Sequence, residues 1–306
     1  MKKVLISCVV ALLASLSVSA QTFVEQNHTY SVFNSVDISD NFTVRLIGSD
    51  KFAVKIKADE RIAPFIVSYI VNESLHISID RKSIPKEMKK EFRGKAFQNI
   101  VLSADIYAPR INSIVLNGKS TLVQEDTLRV DSFSLMLNDE AKIDNLMLKC
   151  QTADISLSNS STLNLHAAVA GNMYVTLANS AEAIIEQKSG TGLVVNASGY
   201  STARTVVDVP KLEVAVSSSA EIVCVGAADE MKISAAGTSS VQAESLNVTE
   251  ASVEQTGSSK CYMNVSDKIQ VNLSGGSMMT FTQAPVIDIV RVVNSTLIKA
   301  DDPKRK

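Results

Sequence analysis

The sequence predicts an all-β fold: a single-stranded parallel β-helix, or solenoid, with coils of roughly 20 residues and a strand-rich N-terminal part continuous with it. Three observations carry this reading. A small residue recurs in a polar turn at Ser120, Ala141, Ser161, Ala181, Ser201, Ala220, Ser239, Ser259 and Ser277, with successive gaps of 21, 20, 20, 20, 19, 19, 20 and 18. Apolar residues hold fixed offsets from these anchors. The residues between them are mostly Ser, Thr, Asn, Asp, Glu and Lys, so hydropathy alternates with the period of a strand.

The N-terminus reads as a secretory signal, residues 1–20. Lys2 and Lys3 give a positive start, Val4 to Val18 is apolar or small, and Val18-Ser19-Ala20 fits cleavage after Ala20. Cys8 lies inside the apolar run rather than after it, which argues against a lipid-modified cysteine. No later run reaches the ~18 consecutive apolar residues that a spanning helix needs, so no transmembrane segment is expected once the signal is removed.

Residues 21–110 form the N-terminal part. Ten of the 15 Phe and Tyr lie before Arg110, while ten of the 12 glycines follow it. Alternation at Val36/Ile38, Phe42/Val44/Leu46, Phe52/Val54/Ile56, Leu75/Ile77/Ile79 and Ile100/Leu102/Ala104/Ile106 predicts strands. Gly48-Ser49-Asp50 between two of these runs predicts a hairpin-like turn. Residues 83–97 break the pattern. The segment is charged, Ile84, Met88 and Phe92 share a helical face, and it reads as a loop with a short helix. Lys86, Lys89, Lys90, Arg93 and Lys95 would suit a basic recognition flap, but a charge run is more often a wet insertion.

Residues 111–281 hold the nine coils. Six before each anchor stand Ile114, Leu135, Ile155, Val175, Val195, Val214, Ile233, Val253 and Val271. Four before and two after, the residues are again apolar, with Gln255 alone breaking the columns. Each coil thus has two inward-facing strands, and pairs such as Leu146/Leu148, Val207/Val209 and Leu246/Val248 mark a looser third side. A single coil cannot bury its apolar face alone, so stability is a property of stacked neighbours. Residues 286–298 are expected to cap the C-terminal end, with a charged tail beyond. Leucine-rich repeats, helical repeats and glycine-rich calcium-binding repeats each need a spacing that this chain lacks.

Composition narrows the function. Lys+Arg and Asp+Glu number 30 and 32, a balance that argues against nucleic acid as the main partner while leaving room for a local basic patch. After signal removal Cys150, Cys224 and Cys261 remain, an odd count at unrelated spacings, which is neither a disulfide framework nor a zinc site. His28, His76 and His166 are scattered. One residue after the anchors stand Thr121, Lys142, Thr162, Glu182, Thr202, Glu221, Ser240 and Lys260, a mixed outer face in which Glu182 and Glu221 are two coils apart. No catalytic group, metal ligand or cofactor is expected.

The candidate binding surface is a flat strip of small polar groups. Five before the anchors it holds Ser156, Thr176 and Asn196, followed by Ala215 and Ser234. Three before, it holds Asn138, Ser158, Ser198 and Ser217, with Ala178 among them. Hydroxyl and amide surfaces of this kind can bind a glycan or a partner protein by many weak contacts, although a solvated sheet face would look the same.

Two segments carry a family resemblance: Phe33 to Leu46 (FNSVDISDNFTVRL) and Tyr107 to Ser120 (YAPRINSIVLNGKS). Both resemble the putative auto-transporter adhesin, head GIN domain proteins of Bacteroidota, over roughly residues 30 to 280. The family's turns often read Gly-Ser-Gly, whereas here they read Asn117-Gly118-Lys119-Ser120 or Ser158-Asn159-Ser160-Ser161. The resemblance implies surface adhesion; the export signal, the solenoid and the missing active site lead to the expectation of a non-enzymatic binding module in the periplasm, associated with the outer membrane or on the surface of a Gram-negative bacterium. Its partner would be a glycan or an envelope or host protein. The alternatives are a polysaccharide-active enzyme with a degenerate site, and an envelope scaffold or sensor partner.

Overall fold

The computed structural model describes residues 22–90, 92 and 100–300. Residues 1–20, with Ala20, lie outside them, as do Arg93 and Lys95. The chain coils into stacked layers, and each layer gives one strand to a ladder ahead of the anchor turn and one to a ladder after it.

The ladder ahead of the turn runs Ser74–Ile79, Ser35–Ile38, Ser113–Leu116, Ser132–Leu137, Thr152–Leu157, Asn172–Leu177 and Gly192–Ala197, all parallel. The ladder after the turn runs Leu102–Ala108, Thr43–Gly48, Thr121–Gln124, Lys142–Cys150, Thr162–Val169 and Glu182–Gln187. From Thr202 onward one long strand bends from the second ladder through the third side into the first: Thr202–Val216, Glu221–Ala235, Ser240–Gln255 and Lys260–Ser274. Leu146/Leu148, Val207/Val209 and Leu246/Val248 are buried along that third side.

Register is strict because an inward column must stay inward. Ile114, Leu135, Ile155, Val175, Val195, Val214, Ile233, Val253 and Val271 stack in one buried line. Gln255 keeps its place in the buried column; its Nε2 donates to Ser259 Oγ at 3.3 Å and to the Met278 carbonyl at 3.4 Å. All nine anchors are buried. The position is filled by Ser or Ala in all nine coils and packs inside the turn, where Ser201 and Ser239 hydroxyls donate to the carbonyls three residues back at 2.9 and 2.8 Å.

Two residues before each anchor the backbone is left-handed: Gly118, Asp139, Asn159, Asn179, Gly199, Ser218, Gly237, Gly257 and Gly275, with φ between 61° and 82°. Gly, Asn and Asp tolerate that conformation best. The acidic and amide members add a ladder of their own. Asn159 Nδ2 donates to Asp139 Oδ1 at 3.1 Å and Asn179 Nδ2 to Asn159 Oδ1 at 2.9 Å.

At the N-terminal end the layers do not follow chain order. Ser35–Ile38 and Thr43–Gly48 form the second layer, wedged between Ser74–Ile79 with Leu102–Ala108 on one side and Ser113–Leu116 with Thr121–Gln124 on the other. The expected hairpin at Gly48-Ser49-Asp50 is therefore a correction. Ala53–Asp59 does not pair with Thr43–Gly48, because both edges of that strand are already taken by parallel partners, and Leu102–Ala108 intervenes. The end is closed by antiparallel strands: Phe23–Thr29 on Ala53–Asp59, Ala53–Asp59 on Leu102–Ala108, and Ile66–Val71 on Ser74–Ile79. Buried Phe33, Phe42 and Phe92 fill these layers.

The segment expected as a loop with a short helix stands where the anchor turn of the first layer would be, between Ser74–Ile79 and Leu102–Ala108. It carries the helix Lys86–Lys89, buries Ile84 and Phe92, and packs Met88 against the core. It lies over the end of the core, with the Arg61 guanidinium 5.8 Å from the Phe92 ring centre.

The stretch expected to cap the other end adds one more layer. Val286–Val293 pairs in parallel with Lys260–Ser274, and Thr296–Lys299 with Met278–Thr282. Among the described residues nothing covers this layer; Leu297 packs against the core, while most of the layer's other aliphatic side chains are exposed.

Candidate functional site

The interior is filled by aliphatic columns, which leaves the outward faces for recognition. On the ladder ahead of the turn, Ser156, Thr176 and Asn196 stand directly side by side in register, ~4.8 Å apart as strand spacing dictates. Ala215 and Ser234 continue the line. Thr176 and Asn196 are exposed and make no side-chain hydrogen bond among the described residues.

The companion column lies in the turn and is half-buried. Asn117 Nδ2 donates to Asp37 Oδ1 at 3.0 Å, Asn138 Nδ2 to Asn117 Oδ1 at 2.8 Å, and Ser158 Oγ to Asn138 Oδ1 at 2.8 Å. Ser198 Oγ donates to the Leu177 carbonyl at 3.4 Å. Asn138, Ser158 and Ser198 thus spend polar groups on holding coils together, and Ser217 sits half-buried at the same offset. The structure brings the two columns onto adjoining positions but leaves the outer one freer.

Sequence reasoning missed two neighbours. Met136 precedes Ser156 in the outer column, and Tyr174 lies two residues before Thr176 on the same strand face; both are nearly half exposed. Asp154 pairs in register with Tyr174 and is exposed. An aromatic residue at an outward position was the available signal. Beyond Asn196 the face turns into an ion-pair lattice: Lys232 to Glu213 at 3.0 Å and Lys211 to Glu230 at 3.2 Å.

The ladder after the turn carries an open groove of about 680 Å³. Thr162, Glu182, Thr202 and Glu221 line one row, and Asp144, Asn164, Ile184, Arg204 and Val223 the next. Lys142 Nζ sits 2.8 Å from Asp144 Oδ1, and Gln242 donates to Glu221. Glu182 and Glu221 flank Thr202, two strand spacings or roughly 10 Å apart along the backbone. The groove offers hydrogen-bonding groups and the Arg204 guanidinium, which has no ion-pair partner among the described residues.

Two histidines pair with carboxylates, and the three described cysteines lie in the core. His76 Nδ1 faces Asp37 Oδ2 at 3.2 Å and stacks on Tyr69, while His166 Nδ1 faces Glu186 Oε2 at 2.9 Å. Lys188 first, and His166 second, hold the Glu186 carboxyl below its usual range. Burial pushes the Cys150 and Cys224 thiols up to about 11 and the Cys261 thiol up as well, which makes them small apolar core residues rather than nucleophiles. No group of three or more metal-ligating side chains occurs among the described residues, and no helix among them is long and apolar enough to cross a membrane.

Three comparisons bear on identity. The family profile described as "Putative auto-transporter adhesin, head GIN domain" matches residues 32–187 and 173–285. The chain is similar in structure to a putative adhesin from Parabacteroides merdae, at 13% identity and a TM-score of 0.48, covering 92% of this chain and 97% of that one. A putative adhesin from Parabacteroides distasonis gives the same identity and TM-score, covering 92% and 98%. A putative lipid binding protein from that organism gives 13%, a TM-score of 0.46, and coverage of 92% and 98%. No curated protein matches the chain. The profile spans both ladders and all nine anchors, and on that match this chain belongs to the head GIN domain family of putative auto-transporter adhesins.

Proposed function

We propose that the protein is an exported, non-enzymatic binding module of the cell envelope, displayed in the periplasm, at the outer membrane or on the surface, and that it engages a glycan along the outward face of the ladder ahead of the turn. The observation that carries this is the in-register line Ser156, Thr176, Asn196 with exposed Met136 and Tyr174 beside it. A flat sheet presents hydroxyl, amide and carboxylate groups at fixed spacing, and the Tyr174 ring supplies an apolar face on which a sugar ring can stack. Asn138, Ser158, Ser198 and Ser217 form the rim of the same surface and set its flatness.

The purified chain on a glycan array and a host-matrix panel tests the reading. Ser158→Arg with Ser198→Arg drives two long cations across the strip, and Tyr174→Ala removes the platform. Each is expected to weaken binding about tenfold or more. Unchanged binding in both variants would rule the strip out. Binding that survives them but fails with Arg204→Ala would move the site to the opposite groove. Release of sugar or unsaturated products, lost in Glu182→Gln or Glu221→Gln, would favour the enzyme reading. Capture of one envelope protein with no glycan signal would favour a scaffold or sensor partner.

A further inference from the structure

The C-terminal layer has an unusual end strand. Val286–Val293 pairs on one side with Lys260–Ser274, and no described residue pairs with its other edge. Val286, Ile287, Ile289, Val290, Val292, Val293 and Ile298 are 37% to 69% exposed, a concentration found nowhere else among the described residues. A long apolar edge with free N–H and C=O groups is a template for strand pairing, and proteins normally blunt such edges with charge, proline or a covering segment. The opposite end of this solenoid is blunted in that way by its antiparallel strands.

The pattern along the strand says what fits it. Register places Asp288 beside outward Gln270 and Arg291 beside outward Asn272. Ile287, Ile289 and Val292 stack on inward Ile269, Val271 and Leu273. The irregularity between Val271 and Asn272 leaves Val290 as an extra residue in the middle. From Val286 to Val293 the order is therefore outward, inward, outward charge, inward, extra, outward charge, inward, outward. Outside the central pair, inward Ile289 and the extra Val290, this is a palindrome about the Ile289–Val290 peptide, except that the two charges have opposite sign. An antiparallel copy of the same strand, related by a two-fold axis there, sets Asp288 of each copy against Arg291 of the other. Val286 then meets Val293 and Ile287 meets Val292, each on its matching face. The bulge residues meet at the axis, where the ladder is interrupted.

We infer that this end is a self-association face, at which two copies of the chain join tail to tail by antiparallel pairing of Val286–Val293. The contact is isologous and closes at two copies, since it uses the same patch on both. Asp288 already accepts from Gln270 Nε2 at 3.2 Å with Lys268 Nζ at 3.9 Å, so it is fixed on the outward side. Arg291 has no ion-pair partner among the described residues and is supplied with one by the second copy. The inference does not rest on the glycan reading.

Sedimentation velocity of the purified chain over a wide concentration range tests it, with circular dichroism to confirm folding of every variant. A reversible monomer–dimer equilibrium is expected. Asp288→Arg and Arg291→Asp each place like charges opposite one another twice and should weaken the dimer about tenfold or more. The double variant Asp288→Arg/Arg291→Asp restores both pairs and should recover the dimer. A monomer at all concentrations, including one made so by residues beyond Ala300 folding over the edge, overturns the inference. So do open-ended oligomers, or a dimer that both single variants leave intact. Failure of the double variant to recover while both single variants dissociate would also overturn it, because the two charges would then not face each other.

Discussion

At the scale of single residues, the turn carries the most information per position. The anchor was legible in the sequence because burial there forbids bulk, and Ser or Ala recurs at all nine sites. The left-handed column two residues earlier was not. Its members are Gly, Asp, Asn and Ser, which share a backbone conformation rather than a hydropathy, so no apolar pattern reveals them. Conformation sets a clear expectation. Gly226 has φ of 116°, and a Cβ there would meet the Val207 carbonyl oxygen at 1.9 Å. Gly226→Ala should cost about 2 kcal/mol or more in denaturant unfolding, whereas Ser218→Gly, at φ of 62° and with no side-chain hydrogen bond among the described residues, should be nearly neutral. The thiols give a pH dependence. Burial raises Cys224 from 9.0 to about 11, so the folded state keeps a proton that the unfolded state releases. That contribution is full below pH 9 and is lost as pH rises towards 11; thermal melts should fall over this window, and less so in Cys224→Ala once its own packing cost is subtracted.

At the scale of elements, alternation located nearly every strand but could not say which strands pair. Thr43–Gly48 and Ala53–Asp59 are consecutive and separated by a good turn, yet Leu102–Ala108 separates them in space, because local turn chemistry is blind to a partner that arrives much later in the chain. The nine coils escaped this problem since their partners are always one period away. The same periodicity makes a coil a removable unit. Deleting residues 160–179 joins Asn159 to Ser180, the residue that follows the equivalent Asn179, and keeps every inward column in phase. This variant should fold with the same circular dichroism per residue and a modestly lower melting temperature. Deleting only residues 160–169 throws the anchor turns out of register and should abolish the cooperative transition.

At the scale of the whole molecule, the balanced charge and aliphatic interior leave function to the outward faces and the ends. The polar strip was partly readable, because outward residues follow from strand parity. What parity could not show is which of its groups remain free. Asn138 and Ser158 look alike in sequence to Thr176 and Asn196, but the first two bond to neighbouring coils, and the last two make no side-chain hydrogen bond among the described residues. Replacing Asn138 with Ala should therefore lower stability by about 1 kcal/mol in denaturant unfolding, while Asn196→Ala should leave stability unchanged and register only in ligand binding. The open, apolar last layer was hidden for a similar reason: residues 286–298 read as a cap, and a run of aliphatics gives no sign that its own outer edge stays uncovered among the described residues.

The wedged second layer has a consequence for how the chain comes to exist. Ser35–Ile38 and Thr43–Gly48 are sheltered by strands that lie later in sequence on both sides, up to Thr121–Gln124. A chain threaded through a membrane pore with its N-terminus leading would deliver these two strands first and their neighbours last. Ser35–Ile38 keeps one bare edge until about residue 116 has emerged and Thr43–Gly48 until about residue 124, and before residues 79 and 108 respectively both edges are bare. Assembly must then begin among the regular coils or wait for the cap to complete, so the end that is made first is the end that is finished late.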